Sequence, residues 1–147
     1  MFTVLLTLHV LFAVAIVGAL VHVVTTVGRG LRAGDAVAIG TASRSTLIYT
    51  IASVVIVLIG GGLMSATSPY TGKATASFSD TFIWLSLLLW VIAVVVSLVL
   101  VVRGLNKAEK LAVAGESTAA HARSVMIGGG IVAVLLLVIV VLMVVRP

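Results

Sequence analysis

Cysteine is absent from the 147-residue chain. That excludes disulfides, thiolate metal centres, iron–sulfur ligation and cysteine nucleophiles together. Charge is scarce as well: 9% of residues are Asp, Glu, Lys or Arg, and only four are acidic. No nucleophile–base pair, phosphate-binding glycine loop, paired carboxylate or metal-ligand spacing can be assembled from what remains, so catalysis within the chain has little to stand on and the protein reads as a non-enzyme. The formal charge of +5 does not point to nucleic acid, because the basic residues form no aromatic-interleaved patch.

What is abundant is apolar surface. The chain is 62% hydrophobic with a mean hydropathy of +1.39, far outside the soluble globular range. Four apolar segments stand out, approximately Phe2–Thr26, Ser45–Ala66, Thr81–Val102 and Val125–Val145. Each reaches the roughly 20 residues that a spanning helix needs, and each is apolar nearly all round, as expected where lipid is the solvent. The reading is an all-α membrane protein, a bundle of four transmembrane helices forming one transmembrane domain over residues 1–147. The first segment lacks a basic leader and is too long for a cleaved signal peptide.

Seven of the nine basic residues fall in two connections, Gly28–Arg44 and Arg103–Arg123; only Lys73 and Arg146 lie on the other side. The positive-inside rule then places those two connections in the cytoplasm and both termini outside. Tyr70, Phe78, Phe82 and Trp84 cluster near the outer end of the third segment, where an aromatic belt belongs. Ser79 or Asp80 is the expected cap of that helix.

The two halves echo each other. Arg-Gly-Leu occurs at 29–31 and 103–105, Arg-Ser at 44–45 and 123–124, and triple glycines at 60–62 and 128–130. This is consistent with two repeated helical hairpins about an axis along the membrane normal; shared topology explains the arginines equally well, and the glycine runs fall at opposite ends of their helices. Small residues four apart recur in every segment, at Ala15/Ala19, Gly61/Ser65, Ala93/Ser97 and Gly129/Ala133. Such pairs let backbones approach where no hydrophobic effect drives helices together.

Few residues offer chemistry. His9 and His22 are 13 residues apart, hence about 220° apart around a helix and about 19.5 Å apart along it, and cannot share a metal. His9 lies toward the outer leaflet and His22 toward the cytoplasmic end. The remaining segments contain no histidine; His121 lies in the third connection. A haem would need Met64, Met143 or a second chain as its other ligand. His22 with His121 makes a thin metal site without cysteine or carboxylate. The alternative for both intramembrane histidines is packing, with the ring hydrogen-bonded to a carbonyl, Ser or Thr of a neighbour. A proton relay through His9 would need further titratable groups, and no Asp, Glu or Lys lies within a segment. Arg44 reads either as a snorkelling topology residue or as an anchor for a carboxylate or lipid phosphate. Trp90 lies near mid-bilayer, about 15 Å below the start of its helix. Its indole N–H needs an acceptor, from Ser86 one turn away or from another chain.

The outer "LH" of the first segment, the "LIGGGLMS" of the second and the terminal "VVLMVVRP" resemble a family of uncharacterised four-helix integral membrane proteins, itself distantly similar to the membrane part of copper-resistance protein D. In those relatives histidines and methionines are suspected of handling copper; only His9 carries over here. The Val/Ala/Gly-rich composition looks actinobacterial. By analogy with small membrane proteins of that composition, the chain is expected to be an accessory subunit of a respiratory, cytochrome oxidase-type electron-transfer assembly in the bacterial plasma membrane, with other membrane subunits and lipids as partners; the residues lead us to expect no cofactor of its own. Two other readings stand beside it: a small transporter or copper-handling protein, and a haem-binding electron-transfer subunit.

The seven-to-two charge division gives a direct test. With no native cysteine to interfere, Thr71→Cys should react with an impermeant thiol reagent added outside intact cells, and Ala114→Cys should be spared. The opposite labelling pattern would reverse the orientation.

Overall fold

The computed structural model describes residues 1–145; Arg146, counted above among the outer-side basic residues, lies outside the described residues. Four helices long and apolar enough to cross a membrane make up the chain: α1 (Phe2–Ala33), α2 (Ala36–Ser65), α3 (Thr81–Val113) and α4 (Ala119–Val145). They run up and down in sequence order. Each packs on its chain neighbours, and α4 closes the bundle against α1. The protein is an all-helical, multi-pass membrane bundle. Met1 and Val145 lie at the same end as the Thr67–Asp80 connection, and the basic connections lie at the other.

The helices are longer than the apolar segments. Where the sequence suggested connections over Gly28–Arg44 and Arg103–Arg123, helix continues until Ala33 and Val113 and resumes at Ala36 and Ala119. The reason is local. Leu31, Ile39, Leu105, Ala108 and Val125 alternate with charged residues at helical spacing, and all are almost completely buried. They extend the core past the last apolar turn, so hydrophobic burial in water takes over where lipid ends.

Both basic-end turns close in the same way. Gly34 (φ 63°) and Gly115 (φ 73°) take the left-handed conformation that favours glycine. Asp35 N–H donates to the Gly30 carbonyl at 3.1 Å, and Glu116 N–H to the Leu111 carbonyl at 2.9 Å, the six-to-one bond of a Schellman cap. Ala-Gly followed by an acid thus recurs at 33–35 and 114–116. Arg29 precedes Gly34 by five residues and Arg103 precedes Gly115 by twelve; the difference of seven is about two helical turns. In both Arg-Gly-Leu copies the Arg is exposed, the Leu is buried and the Gly lies against the following helix. These shared features add to the sequence grounds for two related hairpins.

The opposite end departs from expectation in detail. Asp80 sits at the start of α3 but makes no side-chain cap. Its carboxylate instead accepts from Ser77 N–H at 2.8 Å, tying down the connection before the helix. Tyr70, Phe78 and Trp84 are exposed, whereas Phe82 turns inward. Tyr70 meets Phe2 edge-to-face with centroids 6.4 Å apart, so the connection folds back over the start of α1.

Of the four small-residue pairs, Ala93/Ser97 and Gly129/Ala133 are buried in the bundle, while Ala15, Gly61 and Ser65 face outward. The closest approach is at Gly129, where a Cβ would lie 2.8 Å from the Val24 carbonyl oxygen and 3.1 Å from the Val24 Cβ. Both helices have backbone at that point, so neither can yield by turning a side chain. A Cβ on the adjacent Gly130 would meet nothing within 4 Å. Gly129→Ala is therefore expected to destabilise by about 1–3 kcal/mol, the range for overpacking, and Gly130→Ala to leave stability unchanged or slightly raised. Thermal unfolding of the two variants in the same detergent distinguishes them, and equal effects would show that α1 and α4 are not in close contact at Gly129.

Candidate functional site

The interior of the bundle carries a line of hydroxyls. Ser43, Thr46, Thr50 and Ser53 of α2 recur every three or four residues on one helical face, and all are buried. That face meets α3. At the basic end, Ser43 Oγ donates to Asn106 Oδ1 at 2.5 Å. Thr46 returns its hydroxyl to the Ala42 carbonyl of its own helix. Thr50 and Ser97 share a hydroxyl–hydroxyl bond of 2.7 Å. Ser53 donates to the Thr50 carbonyl at 2.6 Å and accepts from Trp90 Nε1 at 2.9 Å. The indole therefore reaches across to α2 rather than to Ser86. The buried Ser86 hydroxyl has no partner among the described residues.

Ser97 opens a π-helical stretch in α3, Ser97–Val102, and α1 carries another at Ala13–Val17. A π turn adds one residue without adding a full turn, rotating the residues beyond it. The buried positions of α3 run from Val101 and Val102 at the end of that stretch to Leu105 and Ala108 past it, the face that seats the basic-end core. Between Leu20, Thr50, Ser53, Trp90, Ala93, Ser97 and Val132 lies a cavity of about 10 Å³. That is the lower limit of room for one water.

His9 occupies a second polar position, in a notch of α2. Its Nδ1 lies 3.1 Å from the Ile56 carbonyl oxygen. Ile56 belongs to the interior of α2, where a side chain four residues onward normally covers the carbonyl; that residue is Gly60. A Cβ there would lie 3.2 Å from His9 Cε1, so the glycine makes room for the ring. With Nδ1–H donating to the carbonyl, Nε2 carries the lone pair. The acceptor is a carbonyl of the neighbouring helix, one of the partner types expected for the ring.

The remaining candidates are not gathered into one place. His22 is exposed on α1, its backbone carbonyl accepting from Thr25 and Thr26 hydroxyls. His121 is half-buried near the start of α4, and Arg44 is exposed on α2. Met64 is half-buried and Met143 exposed. Among the described residues no group of three or more His, Cys, Asp or Glu is placed to hold a metal ion. No protein-family model matches the chain, and neither a curated protein nor a solved structure is significantly similar to it.

The α2–α3 bonds invite a double-mutant cycle. Thr50→Val and Ser97→Ala are expected to be non-additive by about 0.6 kcal/mol, the average for interhelical hydrogen bonds measured in a membrane protein, and by no more than about 1.7 kcal/mol. Strict additivity of the two unfolding free energies would mean that the bond contributes nothing to holding the seam.

Proposed function

We propose that the protein is a non-catalytic subunit of a larger membrane complex, with α1 as its docking helix. The supporting observation is the outward face of that helix. Val4, Leu8, Leu11, Ala15, Gly18, His22 and Thr25 lie on one stripe, and all are exposed. A Cβ on Gly18 would meet nothing within 4 Å, so this small residue does not serve packing within the bundle. His22, one helical turn beyond Gly18, turns a polar ring outward at membrane depth. An imidazole facing acyl chains is costly. A helix from another subunit, approaching over Ala15 and Gly18 and offering His22 a carbonyl or hydroxyl, relieves that cost.

For the kind of complex, the support is analogy with small actinobacterial membrane proteins: a respiratory, cytochrome oxidase-type electron-transfer assembly in a bacterial plasma membrane. In this reading the subunit supplies helical surface, its partners carry the cofactors, and the basic end faces the cytoplasm.

Purification from gently solubilised native membranes tests the proposal. The wild-type chain should migrate with stoichiometric partners identifiable by mass spectrometry. Gly18→Leu should lose them while keeping the thermal stability of the isolated bundle. A native protein running alone at its 15.1 kDa mass would refute the subunit reading, and partners retained by Gly18→Leu would move the docking face away from α1.

A further inference from the structure

The basic end is more ordered than a count of positive charges suggests. Arg29, Arg44, Arg103 and Arg123 are exposed, and each belongs to a different helix. Contacts between helices fix their relative depths. Gly28 of α1 lies against Met126 of α4, where a Cβ would be 3.6 Å from the Met126 sulfur. Gly104 of α3 lies against Val125 of α4, where a Cβ would be 2.6 Å from Val125 Cγ2. Ser43 of α2 is bonded to Asn106 of α3. Counting outward from each contact along antiparallel helices, Arg29 and Arg123 differ by about 3 Å in depth, Arg103 and Arg123 by about 4.5 Å, and Arg44 and Arg103 by about 3 Å. The four therefore form a ring roughly one helical turn deep. Arg32, Lys107 and Lys110 stand farther out, about 4.5 to 10 Å beyond their own helices' ring residues.

The acidic side chains at this end do not neutralise the ring. The Asp35 carboxylate accepts from Ala38 N–H at 3.0 Å and caps α2. Glu109 packs over Gly40, close enough that a Cβ there would collide with its carboxylate. Among the described residues no ion pair joins Asp35, Glu109 or Glu116 to any of the seven basic side chains at this end. The arginines divide into two corresponding pairs: Arg29 and Arg123 on α1 and α4, Arg103 and Arg44 on α3 and α2. Exchanging the two hairpins exchanges the pairs, and they carry the Arg-Gly-Leu and Arg-Ser repeats. Each lies at the end of its helix's apolar stretch, next to where charged residues begin.

We propose that this ring binds the phosphodiester groups of anionic phospholipids, one headgroup at the α1–α4 seam and one at the α2–α3 seam. Arginine suits the task, since its planar fork donates two hydrogen bonds to one phosphate while the acyl chains lie along the apolar helix below. The depth of the ring selects a headgroup that is already in the membrane, and the absence of internal ion pairs leaves all four guanidinium groups available to it.

The test uses the full chain reconstituted in phosphatidylcholine bilayers containing a minor fraction of phosphatidylglycerol. Spin-labelled lipids of each class report which is held at the protein surface. The wild type should prefer phosphatidylglycerol, and added NaCl should weaken that preference through screening. Basic residues near an anionic surface contribute about 1 kcal/mol each, so the preference at a seam should fall roughly fivefold for each arginine lost there. Arg29→Gln/Arg123→Gln should empty one seam, and the further pair Arg44→Gln/Arg103→Gln the other. Arg32→Gln/Lys107→Gln/Lys110→Gln should retain most of the preference. An equal loss in that outer-tier variant would indicate diffuse charge and overturn the ring. Absence of a preference in the unmodified protein, or a preference insensitive to salt, would overturn the proposal without reliance on any variant. Displacement by inorganic phosphate at concentrations comparable to the lipid would assign the arginines to a soluble anion instead, and overturn it likewise.

Discussion

The seam between α2 and α3 is held by polar groups that lipid cannot solvate. A hydroxyl or indole N–H in hydrocarbon has no water to fall back on, and an unpaired group there is costly. Thr50 with Ser97, and Ser53 with Trp90, therefore have few alternatives to each other. These pairs fix the register of the two helices as well as their proximity: a slide of one turn would separate every partner. The other seams follow from that register. Once α3 is placed, Ala93 and Val101 enter the core beside Val132 and Leu136 of α4, and α4 in turn presents Gly129 to Val24 of α1.

Glycine does different work at different depths. At Gly129 its missing side chain lets two backbones touch; at Gly60 it exposes a carbonyl to an imidazole; at Gly34 and Gly115 it permits the left-handed turn that ends a helix. Gly18 and Gly130 fit none of these roles within the bundle, since open space surrounds them. The distinction separates the glycines that build the fold from those available to neighbours.

The protein changes its solvent along its length without changing its secondary structure. In the apolar stretch, backbone pairing inside each helix meets the demands of lipid. At the basic end, Leu31, Leu105 and Ala108 bury themselves against Ile39 and Val125 as in a soluble bundle. The arginines stand at the change from the apolar stretch of each helix to its charged one.

The sequence by itself determined the number of spans, the all-helical class and the end at which positive charge collects. Those properties follow from run length and composition, because a chain in lipid must satisfy its backbone within each segment. It also placed His9 and Trp90 at membrane depth, where each needs a partner. Tertiary structure alone decided that the partners are the Ile56 carbonyl and the Ser53 hydroxyl, 47 and 37 residues away. It alone decided that Gly129 faces inward while Gly61 faces out. The reason is that a helix apolar on every side has no amphipathic period to say which face turns inward. Only at the basic end, where charged and apolar residues alternate with helical spacing, was the buried face legible in the chain, and there it lay in stretches that apolar run length alone marked as connections.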